Sequence, residues 1–293
     1  MSYDFQTTTH GKWILAGEHA VLRGHAALVF PVWEKKLTLS YSKAESELQI
    51  DYAGTSDANI PFLFRQVLAQ GQQLLDNSLI NLSGHFHLHN DIPVGVGMGA
   101  SAALCVAVAR WFEAKHLLIK DSIYSFAKDL ENLFHGKSSG LDIAGVSAET
   151  GVYFQEGNIT PLQQSWHPQW FLSSCGQIGI TSQCINQVSE LWQRVPSQAE
   201  HIDAQMKTAV IKAKKALEVN EANSLNQLTE AIQQTADCFK QWGLISDHLG
   251  QHMQTLHNLG ALAVKPTGSG GGGYVLSLWD HPPPITEFEL IAV

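Results

Sequence analysis

A glycine-rich turn between a short strand and an apolar helix constrains the fold of this chain most strongly. The turn reads DIPVGVGMGASAA over residues 91–103, and it follows the alternating run HFHLH at residues 85–89. The apolar segment over residues 102–112 has helical periodicity and contains no glycine or proline. The pattern therefore predicts a strand, a tight turn and the N-terminus of a helix, in that order.

A helix that begins directly after such a turn is suited to binding an anion. Its first N–H groups have no partner within the helix and lie at the positive end of the helix dipole. Gly95, Gly97 and Gly99 carry no Cβ atom that would keep a ligand from the backbone. Ser101, at the mouth of the helix, would add a hydroxyl to a phosphate or a metal ion. A tight connection without any ligand is the alternative.

The turn does not match the two commonest nucleotide-binding fingerprints. The chain contains no GxxxxGK followed by Ser or Thr, which excludes a P-loop. The run GVGMG is not followed by the spacing or the acidic residue of a dinucleotide-binding fold. A nucleotide bound here would therefore need a different type of loop.

Composition describes a packed globular protein. Of the 293 residues, 44% are apolar and 15% are charged, which is typical of a chain that buries a core. The sequence contains no apolar run of about 18 residues and does not begin with the pattern of a signal peptide, so we expect a cytoplasmic protein without membrane contact. The net charge of −9 and the absence of a Lys/Arg block argue against a nucleic-acid partner.

Cysteines and histidines offer two possible metal-ligand sets. The four cysteines lack a CxxC pair or other metal-like spacing, so we expect buried free thiols at Cys105, Cys175, Cys184 and Cys238. His85, His87 and His89 alternate on one strand and share one face. Because no acidic residue lies at close spacing, the pattern favours a polar strand face, either exposed or packed on a loop, over a metal site.

The rest of the chain reads as strands followed by helices. Strands are predicted up to about residue 50, and again at residues 174–182 and on both sides of the glycine run near residue 270. Helices are predicted over residues 59–75, 121–134, 201–215, 222–239 and 246–259. The change in pattern near residues 160–175 predicts two domains, residues 1–165 and 166–293, and an α+β fold class.

A single carboxylate, Asp142, lies among small and apolar residues in the segment 140–151, which reads as a turn running into a strand. An isolated aspartate in a Ser/Gly turn is either a capping residue or a functional acid. Lys12 alone would be interpreted as a surface lysine near the N-terminus.

Three motifs resemble those of the GHMP small-molecule kinases and occur in the same order. The central motif is PVGVGMGASAA at residues 93–103, the first is GKWILAGEHAVLRG at residues 11–24, and the third is KPTGSGGGGYVL at residues 265–276. The resemblance implies a two-domain α/β kinase of the α+β class. Its N-terminal domain would have a mixed sheet and the glycine-rich phosphate loop, and its C-terminal domain would be ferredoxin-like.

The resemblance also implies a role for particular residues, with ATP and Mg²⁺ as the nucleotide and the ion. Asp142 would be the general base that deprotonates the accepting hydroxyl, and Lys12 would lie beside it and stabilise the oxygen. Ser101 and Glu131 would hold the magnesium ion. The nucleotide would be bound by Pro93, Gly95, Gly97, Gly99, Ala100, Ser101 and Ala102. The acceptor would be bound by Glu18, His19, Gly268, Ser269 and Gly270, in a cleft where the third motif offers backbone N–H groups to phosphate or substrate carboxylate.

Within this family the sequence is most similar to the mevalonate kinases. Lys12 precedes GEHAV, and Glu131 lies eleven residues before Asp142, as in their pattern. This similarity implies transfer of the γ-phosphoryl group of ATP to the primary hydroxyl of mevalonate, in isoprenoid biosynthesis. A phosphomevalonate kinase, another GHMP sugar or metabolite kinase, and a noncatalytic ligand-binding homologue are the alternatives, and a homodimer is left open. Ala100 and Lys137 depart from the family pattern.

Overall fold

The computed structural model describes residues 3–55, 60–76, 82–136 and 138–293, which form two compact units. Unit 1 comprises the residues up to Lys12, Pro31–Val94 and Met98–Ser147; unit 2 comprises Trp13–Phe30, Gly95–Gly97 and Ala148–Val293. Strands β1 (Phe5–Ala16) and β2 (Ala27–Glu47) each contribute residues to both units. The units are therefore discontinuous in sequence, and the division at residues 165 and 166 stays a prediction.

The described part of unit 1 contains a mixed sheet and four α-helices. Strand β4 pairs antiparallel with β2 and parallel with β3, and β1 also pairs with β2. The bounds are β3 Gln49–Gly54, β4 Ser83–Asn90, α1 Ile60–Leu74, α2 Ala100–Ala114, α3 Ile123–His135 and α4 Leu141–Ser147.

Alternation along β4 decides which face of this sheet is buried. Phe86 and Leu88 are almost completely buried, whereas the histidines that alternate with them are at least partly exposed. Phe86 makes edge-on contacts with Phe64 of α1 and Trp111 of α2, each with a ring-centroid distance of 5.0 Å. One face of the sheet therefore packs on the helices, and the histidine face lies on the other side.

Unit 2 contains a four-stranded antiparallel sheet with strand order β10-β7-β9-β8. The first residues of β2 pair with β5, and β5 pairs with β6. The bounds are β5 Val152–Gln155, β6 Asn158–Pro161, β7 Gln169–Ser174, α5 Thr181–Arg194, α6 Pro196–Glu218, α7 Ser224–Gln241, α8 Asp247–Asn258, β8 Ala263–Pro266, β9 Tyr274–Trp279 and β10 Ile291–Ala292. Trp13 stacks on Phe30 at 4.7 Å and contacts Trp170 edge-on at 4.8 Å.

The α+β class and the mixed N-terminal sheet are confirmed. The predicted helices are present as α1, α3, α6, α7 and α8, with shifted ends; position 59, where the first was predicted to begin, lies outside the described residues. None of the helices in the described ranges has the length and apolar character needed to cross a membrane. All four cysteines are free, as predicted, and Cys175 is the one of them that is not buried.

Two local predictions were wrong. The strand predicted over residues 174–182 is absent, because β7 ends at Ser174 and α5, which the sequence reasoning missed, begins at Thr181. Between them, Gly179 has no room for a side chain, since a Cβ atom there would lie 2.5 Å from the Gly270 carbonyl oxygen. The segment containing Asp142 is also not a turn that runs into a strand, because it forms the short helix α4.

A glycine in the last turn of α1 gives a test of helix packing in unit 1. A Cβ atom at Gly71 would lie 2.4 Å from the ring of Phe112, which is completely buried in α2. We expect Gly71→Ala to lower the free energy of unfolding by about 1–3 kcal/mol, as overpacking does. The matched control is Gly250→Ala in α8, where the nearest atom is 3.5 Å away. The control should gain up to about 1 kcal/mol from helix propensity. If chemical denaturation gave the same change in the free energy of unfolding for both variants, this packing would be contradicted.

Candidate functional site

A buried ion pair joins the first motif to helix α4 within unit 1. The Lys12 Nζ atom lies 2.9 Å from Asp142 Oδ1, and the exposed fractions of the two side chains are 1% and 31%. The interpretation of Lys12 as a surface lysine is therefore wrong. A buried ammonium group needs a nearby counter-charge, which Asp142 supplies from the first turn of α4. The exposure of Asp142 leaves part of its carboxylate accessible to a ligand.

The central glycine turn creates the space for Lys12. A Cβ atom at Gly99 would lie 2.9 Å from Lys12 Cγ and 3.1 Å from a methyl group of Val146. The backbone N–H of Lys12 also donates to the Met98 carbonyl oxygen at 2.9 Å. Because Gly99 has a φ angle of +79°, its conformation also favours glycine. Gly99 is therefore required by the side chain of Lys12, whether or not a ligand approaches the turn.

Gly97 has a similar role in unit 2, where it faces the third motif. A Cβ atom at Gly97 would lie 3.1 Å from the Thr267 carbonyl oxygen and 3.7 Å from Gly268 Cα. At Gly95 the nearest atom, in Ile178, is 3.5 Å away, which is ordinary contact. From the sequence, these glycines were explained by ligand approach or by a tight connection, and the packing of protein atoms against Gly97 and Gly99 was missed.

The predicted order of strand, turn and helix is confirmed at the start of α2. The helix begins at Ala100, and its N-cap residue, Gly99, has no side chain to cap the first turn. Ser101 is half-buried in that turn, whereas Ala100 and Ala102 are buried. Pro93, before the turn, is also half-buried. The first-turn N–H groups are thus not held by a capping side chain, which is the arrangement that an anion requires.

Glu131, on α3, is a buried carboxylate with one oxygen atom unpartnered. Its exposed fraction is 1%, its Oε2 atom accepts a hydrogen bond from the Ser138 hydroxyl, and its Oε1 atom is buried without a hydrogen-bond partner among the described residues. Burial, followed by the negative charge of Asp142, raises the pKa of Glu131 to about 8. Sequence reasoning missed Ser138, although its position in the SSGLD turn between Glu131 and Asp142 was a usable signal.

Ser101 and Glu131, the residues predicted to hold magnesium, offer the types of ligand atom that a magnesium ion prefers. Burial and then the charge of Glu131 raise the pKa of the Cys105 thiol, so Glu131 acts on the face of α2 that carries Cys105. Ser101 lies one turn earlier on that face. A hydroxyl and a carboxylate are the oxygen ligands that Mg²⁺ prefers. The unpartnered Oε1 atom of Glu131 is a further reason to expect a cation here, because an unpaired buried carboxylate oxygen is unfavourable.

A second buried ion pair joins the first and third motifs within unit 2. Lys265 Nζ lies 2.5 Å from Glu18 Oε1 and donates to the Ile14 carbonyl oxygen at 3.0 Å. Both charged side chains are almost completely buried, at 2% exposed for Glu18 and 0% for Lys265. The sequence reasoning gave Lys265 no role, although a lysine inside the buried strand β8 indicated a partner. The pair fixes Glu18, so the predicted acceptor ligand also has a structural role.

His19 is held by the backbone of the third motif. Its Nε2 atom lies 2.8 Å from the Ser269 carbonyl oxygen, and its ring contacts Trp242 edge-on. Burial lowers the pKa of His19 to about 4, so the ring is neutral at pH 7. A carbonyl oxygen only accepts hydrogen bonds, and this partner therefore requires the proton to be on Nε2.

The third glycine run is held by backbone hydrogen bonds at two of its residues. The Gly271 N–H donates to the Leu244 carbonyl oxygen at 2.8 Å, and the Gly273 N–H donates to the Gln177 carbonyl oxygen at 2.7 Å. The expectation that this run turns its N–H groups toward a ligand is therefore wrong for these two glycines. The roles of Gly268, Ser269 and Gly270 stay predictions.

The described structure thus brings Lys12, Asp142 and the charge of Glu131 together in unit 1. In unit 2 it places Glu18 and His19 against the third motif. Lys137, the charged departure from the family pattern, lies outside the described residues.

Comparisons with known proteins agree with the motifs. Residues 64–149, which include Ser101, Glu131 and Asp142, match the family model described as the GHMP kinases N terminal domain. Mevalonate kinase from Pyrococcus horikoshii is 27% identical, with 91% of this chain and 86% of the relative covered. Mevalonate kinase from Archaeoglobus fulgidus is also 27% identical, with 95% and 93% covered.

A solved structure shows the same fold. The crystal structure of L. major mevalonate kinase in complex with R-mevalonate superposes with a TM-score of 0.78 and 24% identity, covering 94% of this chain and 87% of that one. The matched domain, the relatives that span nearly the whole chain and the three motifs in order lead to one conclusion. The chain carries a GHMP kinases N terminal domain and is similar over nearly its whole length to mevalonate kinases.

Proposed function

We propose that the protein is an ATP-dependent kinase that transfers the γ-phosphoryl group to the primary hydroxyl of mevalonate. The buried Lys12–Asp142 pair is the observation that carries the proposal, because it places a partly open carboxylate beside a fixed positive charge. The relatives from Pyrococcus horikoshii and Archaeoglobus fulgidus, which are named mevalonate kinases, support the choice of acceptor.

Asp142 and Lys12 would carry the proton-transfer step. Asp142 accepts the proton of the acceptor hydroxyl, which contributes about 10²- to 10⁴-fold in rate for a well-placed general base. Lys12 cannot move away from the carboxylate without leaving a charge buried, so it holds Asp142 in place. Its ammonium group also stabilises the negative charge that develops on the hydroxyl oxygen.

The N-terminus of α2 would bind the phosphates. Its uncapped first turn offers backbone N–H groups, and the turn before it supplies the nucleotide-binding residues predicted from the sequence. They are Pro93, Gly95, Gly97, Gly99, Ala100, Ser101 and Ala102. Ser101 and Glu131 would hold Mg²⁺. When bound, this ion would neutralise charge on the phosphates.

Glu18 and His19 would orient the acceptor, together with Gly268, Ser269 and Gly270. Lys265 and the Ser269 carbonyl group hold these two buried side chains in place, so their polar groups would be preorganised before the acceptor binds. A homodimer and a cytoplasmic location stay predictions.

A coupled ADP-release assay with ATP and Mg²⁺ tests the proposal. Mevalonate, phosphomevalonate, galactose and homoserine should be compared at equal concentrations. We expect acceptor-dependent ADP release with mevalonate. ADP release with phosphomevalonate instead of mevalonate would support the alternative of a phosphomevalonate kinase. If no acceptor causes ADP release although ATP binds, the result would support a noncatalytic ligand-binding homologue.

Removing the charge of Asp142 tests the general base. We expect Asp142→Asn to bind ATP within a few fold of the unaltered chain and to lose about 10²- to 10⁴-fold in kcat, because an amide cannot accept the proton. Asp129→Asn, at an exposed position on α3, is the matched control and should keep full turnover. Full turnover in Asp142→Asn would remove this residue from the mechanism.

Magnesium dependence tests the predicted metal ligands. We expect Ser101→Ala and Glu131→Gln each to raise the Mg²⁺ concentration needed for half-maximal turnover, because each removes an oxygen ligand. Glu113→Gln, near the end of α2, is a control for the loss of a carboxylate and should leave the titration unchanged. Magnesium curves identical to that of the unaltered chain would contradict the assignment.

A further inference from the structure

Three metal-ligating side chains share the outer face of the sheet in unit 1. His85 and His87 alternate on β4, on the face opposite the buried Phe86. Asp51, on the adjacent strand β3, is in register with His87. Because β3 and β4 run parallel, residues in register place their side chains on the same face. The prediction that these histidines form only a polar strand face rested on the lack of an acid at close spacing; Asp51 is distant in sequence and is brought beside them by strand pairing.

The ligand atoms of the three residues converge on one point. The Oδ2 atom of Asp51 lies 2.9 Å from His85 Nε2 and 3.4 Å from His87 Nδ1. The three ligand atoms all lie within 4.8 Å of one another, and no other group of this kind occurs in the described ranges. The two rings lie side by side, with a centroid distance of 4.0 Å. Two nitrogen atoms and one oxygen atom therefore surround a common position.

These separations suit ligands of one metal ion. Two atoms that each lie about 2.0–2.1 Å from an ion, at angles of about 90–110°, are about 2.9–3.4 Å apart. His85 Nε2 is buried and has no hydrogen-bond partner in the part of the chain that the structure describes, although Asp51 Oδ2 is close. The approach of these two atoms thus lacks the geometry of a hydrogen bond, and a cation would satisfy both of them.

We propose that Asp51, His85 and His87 bind one divalent transition-metal ion of the zinc class, with water in the remaining positions. Imidazole nitrogen atoms favour such ions, whereas Mg²⁺ prefers oxygen ligands. The ion would be separate from the magnesium held by Ser101 and Glu131. Next to the cluster is an open cavity of about 340 Å³, which His87 and Asp51 help to line, so the metal has access from solvent. The ion would join β3 to β4, because its ligands come from both strands.

Zinc titration of the metal-free, untagged full chain tests the proposal. The titration is done by calorimetry with excess Mg²⁺ present, so that the predicted magnesium site is saturated. We expect one Zn²⁺ per chain. Replacing a residue that only hydrogen-bonds to a metal ligand lowers metal affinity about 10- to 100-fold. His85→Ala and His87→Ala each remove a ligand itself, so each should lower zinc affinity at least about tenfold.

His89→Ala is the matched control. His89 is the next residue on the same face of β4, but its ring contacts Asp91 and is not part of the cluster. The His89→Ala variant should bind zinc with the same affinity as the unaltered chain. Zinc should also raise the melting temperature of the unaltered chain and of His89→Ala, but not that of His87→Ala, because the ion binds only the folded protein.

The conservative variant Asp51→Asn covers the case in which a histidine variant fails to fold. Asp51 is largely exposed, so replacing its carboxylate with an amide should leave the fold intact and weaken zinc binding. Failure of the unaltered chain to bind zinc would show that the cluster is only a histidine–aspartate contact and would overturn the proposal. Zinc binding of equal strength in the cluster variants and in His89→Ala would also overturn it.

Discussion

The buried ion pair between Lys12 and Asp142 is the interaction on which the site in unit 1 depends. An unpaired ammonium group in this position would cost several kcal/mol. The pair therefore requires helix α4 to present Asp142, and it requires Gly99 to leave room for the lysine side chain. Those constraints also define the start of α2, where Gly99 is the N-cap residue. The pair and the predicted phosphate-binding turn are thus specified by the same packing.

Burial shifts the pKa values of two titratable groups, one in each unit, in opposite directions. Burial raises the pKa of Glu131 to about 8 and lowers the pKa of His19 to about 4, so both favour the neutral form near pH 7. A cation at Glu131 would reverse this preference by stabilising the carboxylate. His19, in contrast, needs no charge to donate its hydrogen bond to Ser269. The carboxylate therefore has the properties of an ion ligand, and the imidazole has those of a fixed neutral donor.

Sequence patterns predicted local features well and long-range partners poorly. The turn before α2 was predictable because its glycines and the apolar segment after it are contiguous. The helix that carries Asp142 was not, because its small residues resemble a turn. The partners Lys265 and Asp51 were missed for a different reason. Each becomes a partner only when distant parts of the chain come together, and the parallel pairing that places Asp51 beside His87 leaves no recognisable spacing in the sequence.

The central claim is that Lys12 and Asp142 act as one unit in phosphoryl transfer. The most direct measurement is a double-mutant cycle in kcat with Lys12→Met, Asp142→Asn and the double variant, after each variant is shown to bind ATP. Residues that act as a unit give non-additive losses, so the account predicts that each single variant loses about as much turnover as the double variant. A fold-loss in kcat of the double variant equal to the product of the two single-variant losses would contradict this prediction. A Lys12→Met variant that keeps its turnover would also contradict it.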